Sequence, residues 1–170
     1  IGDQNLGDFS INNKAAYLEA RWVPWLIPYA AFGWNSHGDE LRSPFSLGPS
    51  YLVQRIGENA KAGERTWILG TTFDFSTLGV RGLAFDVSYG QRSQRHVKGD
   101  RSQPLADWEE LATDLIYTLG KEFGWASGIR MRARWARVWE SGSQSSGGTI
   151  QDISQQQTDV RFDLQWRVVF

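Results

Sequence analysis

Polar and apolar residues alternate in short blocks along most of the chain. The last block shows it most clearly. In Thr158 to Phe170, Val160, Phe162, Leu164, Trp166, Val168 and Phe170 share one side of an extended strand, and Asp159, Arg161, Asp163, Gln165 and Arg167 share the other. The same period of two predicts six earlier strands. They run over about Lys14–Trp22, Leu26–Trp34, Arg65–Phe75, Leu83–Gly90, Trp108–Leu119 and Ile129–Trp139. Their apolar rows include Ala16, Leu18 and Trp22; Leu26, Phe32 and Trp34; Trp67, Leu69 and Phe73; and Leu83, Phe85, Val87 and Tyr89. Leu111, Leu115 and Tyr117, then Ile129, Met131 and Trp135, continue the series. Pro28 removes a ladder donor, so a bulge is expected there. Residues 1 to 13 read as loop, and no helical period separates the strands. The pattern predicts an all-β, antiparallel chain forming one domain over residues 1–170.

Connection lengths alternate too. They are short after strands one, three and five, and long after strands two, four and six, the last long one being Glu140 to Gln157. An up-and-down sheet would collect the short turns at one end and the long loops at the other, as transmembrane barrels do. Strands of nine to eleven residues match a tilted bilayer crossing. Aromatics fall towards both strand ends: Trp34, Trp67, Tyr89, Trp108 and Trp139 at one, Trp22, Phe75, Phe85, Tyr117 and Phe170 at the other. Two interfacial girdles would look like this. A soluble sandwich or ligand-binding barrel, with the apolar rows inward, is the competing architecture.

Charge decides between the faces. Arg130, Arg132 and Arg134 are second neighbours, about 6.8 Å apart. Each would cost about 2–4 kcal/mol facing lipid at mid-bilayer. They are expected in a wet lumen, as a ladder for anions or as salt-bridge partners of inward acids. Asp74, Asp86, Asp114 and Asp163 are the candidate pore-lining acids, with Glu110 beside them, and Asp74 and Asp86 are expected to face each other across a turn. Arg137 breaks the alternation, through a bulge that turns it inward or by meeting lipid head groups. Arg92, Arg95, His96, Lys98 and Arg101 make a basic connection, suited to a constriction or to lipopolysaccharide phosphates. His37 and His96 are expected to lie far apart, both in loops, and a zinc site would need more ligands, so no metal centre is expected, nor any cofactor. The chain has no cysteine and a net charge of −1, and lacks nucleophile, phosphate-loop and dinucleotide motifs. Neither catalysis nor nucleic-acid binding is expected.

Seven strands are an odd number, whereas bacterial single-chain barrels have an even one. The chain is therefore expected to be the C-terminal part of a larger barrel, or to hide an eighth strand near Gly7 to Ile11.

Several stretches, in order, resemble the OprD family of substrate-specific outer-membrane porins. They are SPFSLGPSY, AGERTWILGTTFDFSTLGVRGL, SYG, WEELATDLIYTLG, GIRMRARWARVW and TDVRFDLQWRVVF. The resemblance implies a water-filled barrel of about eighteen strands, missing strands before Ile1, and passive diffusion of small carboxylate-bearing solutes past inward basic residues. On this chain those would be Arg130, Arg132 and Arg134. The implied partners are outer-membrane lipid and lipopolysaccharide, the solute, the remaining strands of the same barrel and, left open, further copies of the chain. The C-terminus would lie on the periplasmic side. A non-conducting structural or accessory barrel remains the alternative function.

Overall fold

The computed structural model describes residues 12–21, 23–38, 61–97, 100–146 and 148–166. Nine strands are present among them: β1 (Asn13–Glu19), β2 (Leu26–Asn35), β3 (Arg65–Asp74), β4 (Leu83–Ser93), β5 (His96–Val97), β6 (Asp100–Pro104), β7 (Asp107–Thr118), β8 (Ile129–Ser146) and β9 (Thr149–Trp166). Seven form one antiparallel sheet in the order β1-β2-β3-β4-β7-β8-β9; β5 and β6 make a separate hairpin. Short connections join β1 to β2, β3 to β4 and β7 to β8, the last two through 3-10 turns at Phe75–Leu78 and Lys121–Ala126. The terminal Phe170, Trp22, Lys98, Gly7 to Ile11 and the SPFSLGPSY stretch lie outside the described residues.

Directly paired residues of neighbouring strands project to the same side of a sheet. The register runs Leu18↔Ala30↔Leu69↔Tyr89↔Leu111, and further along Phe85↔Leu115↔Ala133↔Phe162. Among the described residues, every apolar row read from the sequence therefore joins one continuous face. That face is bare: Leu18 is 72 % exposed, Phe162 81 % and Leu164 73 %. The opposite, polar face is the shielded one, with Asn35, Thr66, Ser88, Glu110 and Asp114 buried. A water-soluble fold places these faces the other way round.

Aromatic contacts mark both ends of the bare face. Trp25, Phe73 and Phe85 lie with ring centroids 6.4 and 6.2 Å apart at the short-turn end. Trp67 and Tyr89 meet at 5.5 Å towards the other. Trp108 departs from the expected girdle. Its register partners are Arg92 and Glu140, which puts it on the polar face beneath the Arg92 and Arg95 guanidiniums, at 5.4 and 5.3 Å. No bulge interrupts β2 at Pro28. Its carbonyl accepts from Ala20 N–H, beyond the end of β1, so the missing donor would have pointed where the ladder has already stopped.

Two connections differ from the sequence expectation. Glu140 to Gln157 is not a loop: β8 and β9 stay paired to Ser146↔Thr149 as a two-stranded ribbon. Water on both sides removes the contrast that makes alternation visible. The stretch after β4 contains the β5–β6 hairpin, closed at its base by the Leu105 N–H bond to the Arg95 carbonyl and tied to the segment before β3 by the His96 N–H bond to the Ala62 carbonyl.

Candidate functional site

The polar face across β7, β8 and β9 carries the ionic side chains, which alternation places there at every second residue. Asp114 pairs with Arg134, and Arg134 in turn with Arg161. Arg132 lies between Ile116 and Asp163, and Arg130 between Thr118 and Gln165. All three arginines thus share the polar face with Asp86, Asp114 and Asp163, opposite the apolar rows.

The arginines are not equivalent. Arg132 donates to both oxygens of Asp114, at 3.0 Å from Nε to Oδ1 and through Nη2 to Oδ2. Arg134 Nε donates to the same Oδ1 at 3.2 Å, and its Nη1 lies 3.8 Å from Asp163. Asp163, Arg134, Asp114 and Arg132 form one chain of alternating sign, with no net charge. The Asp114 side chain at its centre is 1 % exposed. Charge-assisted bonds of this type hold like charges at second-neighbour spacing. Arg161 is paired with Asp159 at 2.7 Å. Arg130 forms no ion pair with any described residue, and is the uncommitted cation of the three.

Asp86 belongs to a second group. Its carboxylate accepts from Tyr29 Oη at 3.1 and 3.2 Å and from Thr72 Oγ1 at 2.9 Å. Tyr29 reaches from β2 across β3 because Gly70 leaves room; a Cβ there would lie 2.3 Å from the ring Cζ. Asp86 sits directly opposite Asp114. It does not face Asp74, as had been expected. Asp74 pairs with Ala84, and its carboxylate accepts the Ser76 N–H at 2.9 Å, capping the 3-10 turn.

The long-loop rim brings part of the basic connection, Arg92 and Arg95, onto an acid that sequence reasoning missed. Glu64 is fully buried, accepts from Lys61 N–H and Thr66 Oγ1, and lies 3.7 and 3.8 Å from Arg92 and Arg95. Burial pushes its carboxyl above the ordinary range, against the opposing pull of both arginines. The one available signal was that Arg92 continues the polar alternation of β4 past Gly90. His37 and His96 also meet here, with Nδ1 and Nε2 2.7 Å apart, contrary to the expectation that they stay apart. Among the described residues, no group of three metal-binding side chains is present.

Arg137 is settled outward. The register passes through Leu111↔Arg137↔Thr158 without a bulge, the guanidinium lies 5.4 Å from the Trp139 ring, and Nη2 donates to Gln156. It occupies the rim of the bare face, where long cationic side chains reach the polar interface.

The sequence matches no protein-family model and no curated protein. The fold does match solved structures, which are OprD-family porins of Pseudomonas. OccK5 (OpdH) of Pseudomonas aeruginosa matches over 98 % of this chain and 43 % of its own, at 20 % identity and TM-score 0.68. OpdK of the same organism, solved with vanillate, matches over 91 % and 38 %, at 18 % identity and TM-score 0.65. A BenF-like porin from Pseudomonas fluorescens Pf-5 matches over 94 % and 39 %, at 14 % identity and TM-score 0.65. The chain therefore has the fold of part of a porin wall and spans about 40 % of the length of these proteins. The barrel is not closed within it.

Proposed function

We propose that this chain is a section of the wall of an OprD-type outer-membrane diffusion channel. Seven strands divided by the matched share of 0.38–0.43 scale to roughly 16–18 in a whole barrel, a size that encloses water. The observation that carries the reading is the reversal of faces: aromatic and aliphatic rows stand bare while buried and paired charges fill the other side. Lipid covers the first and water the second, since an open sheet edge or a charged row cannot sit in hydrocarbon. β1 and β9 then pair with further strands of the same barrel. The short turns lie on the periplasmic side, with the C-terminus, and the basic rim faces lipopolysaccharide.

The solute is a small anion, with Arg130 as its main contact among the three arginines. Arg132 and Arg134 keep only part of their charge for a passing ion, because Asp114 and Asp163 hold them. Vanillate, present in one structural relative, is a carboxylate, which supports the same sign. Several weak sites in series let an ion enter and still leave. The test is single-channel recording of the full-length protein in planar bilayers under a salt gradient. Discrete steps with anion preference, lowered in Arg130→Ala, are expected. A folded, inserted protein without conductance steps would overturn the reading in favour of a closed structural barrel.

A further inference from the structure

The two histidines sit where the roots of the long connections converge. His37 follows the end of β2, Gly63 precedes β3, and His96 opens the hairpin after β4. Backbone bonds tie these roots: Gly63 N–H to Ser36 carbonyl at 3.0 Å and His96 N–H to Ala62 carbonyl at 3.1 Å. Gly63 has φ +69° and is packed under both rings; a Cβ would fall 2.2 Å from His96 Cε1 and 2.6 Å from His37 Nδ1. His96 is buried.

The rings meet edge to edge. Their planes are 8° apart and the nitrogens 2.7 Å apart. The planes therefore stand no further apart than 2.7 Å, less than the roughly 3.5 Å that stacked carbon atoms need. Two imidazoles on one tetrahedral zinc, each about 2.0–2.1 Å from it, would hold their nitrogens roughly 3.3 Å apart. The observed separation is that of a hydrogen bond. A neutral imidazole has one donor and one acceptor nitrogen, so a neutral pair makes this bond. A singly charged pair makes it more strongly, because the imidazolium donates. A doubly charged pair turns two N–H groups on each other and cannot make it.

We propose that His37 and His96 form a proton-controlled latch between the roots of the two long connections, closed until both rings are charged and released in acid. The surroundings oppose the second proton and so set the release low. His96 is held below the ordinary histidine range first by burial, then by His37 and by Arg101 of β6, with Asp100 of the same strand pulling the other way. Lys61, Glu64, Arg92 and Arg95 are the further charged groups on the adjoining segments, and Asp107 lies beyond them at the start of β7. The latch stands on its own geometry. Its consequence, a wider or noisier channel mouth in acid, rests on the channel reading.

These 170 residues hold no cysteine, so Gly38→Cys and Val97→Cys, with any cysteine elsewhere in the full-length protein replaced by serine, give a uniquely labelled pair for spin-label distance measurement. Between pH 7.5 and 4.5 the width of the distance distribution should at least double, with a midpoint below about 6.5. The control carries His37→Asn and His96→Gln. Asn and Gln place amide atoms where Nδ1 and Nε2 stood, keeping an uncharged bridge. Its distribution should stay narrow at both pH values, with heat-modifiable migration confirming the fold. Equal widths at both pH values in the labelled parent overturn the latch, as does the same broadening in a folded control. Absent conductance with pH-dependent broadening would instead remove the channel reading and leave the latch standing.

Discussion

Asp114→Asn isolates the electrostatics of the polar face. Asp114 is the shared acceptor of Arg132 and Arg134, so its neutralisation leaves two guanidiniums with one carboxylate, Asp163, between them. Breaking a fully buried ion pair by removing one partner costs about 3–5 kcal/mol. Here the arginine side chains are 22 % and 26 % exposed, and water recovers part of that. A loss of about 2 kcal/mol is expected, read as a lower urea midpoint with unchanged slope. The group also changes from neutral to a charge of +1. An anion passing about 7 Å away in water gains about 0.6 kcal/mol, close to one thermal unit, and a cation loses as much. The anion-to-cation permeability ratio should rise by about three- to sevenfold, read as a shifted reversal potential in a salt gradient. An inserted variant with an unshifted reversal potential would refute the placement of this charged group on the water-filled side of the wall.

Phe162→Arg on the bare face should cost about 2–4 kcal/mol in urea unfolding from lipid. Ser154→Arg shares that face but lies on the ribbon beside Ser141, and should cost less than about 0.5 kcal/mol. Similar costs would misplace the lipid boundary. Gly70→Ala should drive Tyr29 off Asp86 and destabilise by about 1–3 kcal/mol, and in the Tyr29→Ala background it should cost much less, the coupling being read from a double-mutant cycle. Hydrogen bonds from Ser102 and Gln103 hold the Asp100 carboxyl below its ordinary range. Its contribution to the β5–β6 hairpin is therefore complete above the unfolded value of about 3.9 and lost only as pH falls through the lower folded one. Amide exchange at Ser102 should stay protected at pH 4.5 and lose protection at neutral pH in Asp100→Asn.

How much could be read from residues alone follows from which solvents met each face. Leu26, Arg65, Leu83 and Ile129 were placed as strand starts because hydrophobic alternation resumes there after turn residues, and the structure starts strands at all four. In the proposed barrel, lipid on one side and water on the other keep the contrast high, so the apolar rows of seven strands are assigned to one face without knowledge of their order. Where that contrast lapsed, legibility lapsed too. Ser, Gly and Gln in the β8–β9 ribbon meet water on both sides and read as loop. Trp108 read as a girdle residue because its stacking partners, Arg92 and Arg95, come from a strand end and a connection. The acids that hold Arg132 and Arg134 depended on pairing register, which is a property of two strands together. The contact between His37 and His96 depended on two connections converging at one rim, and no local pattern announces that.

The β8–β9 ribbon has a practical corollary. Eighteen residues of strand extend about 60 Å, while a tilted bilayer crossing uses about ten. In the proposed barrel the surplus carries the turn at Gly148, with φ +83°, well clear of the hydrocarbon slab on a stem whose pairing is local. A foreign epitope spliced at that tip would be presented to antibodies like a flag on a mast, without shifting the register of any strand below it.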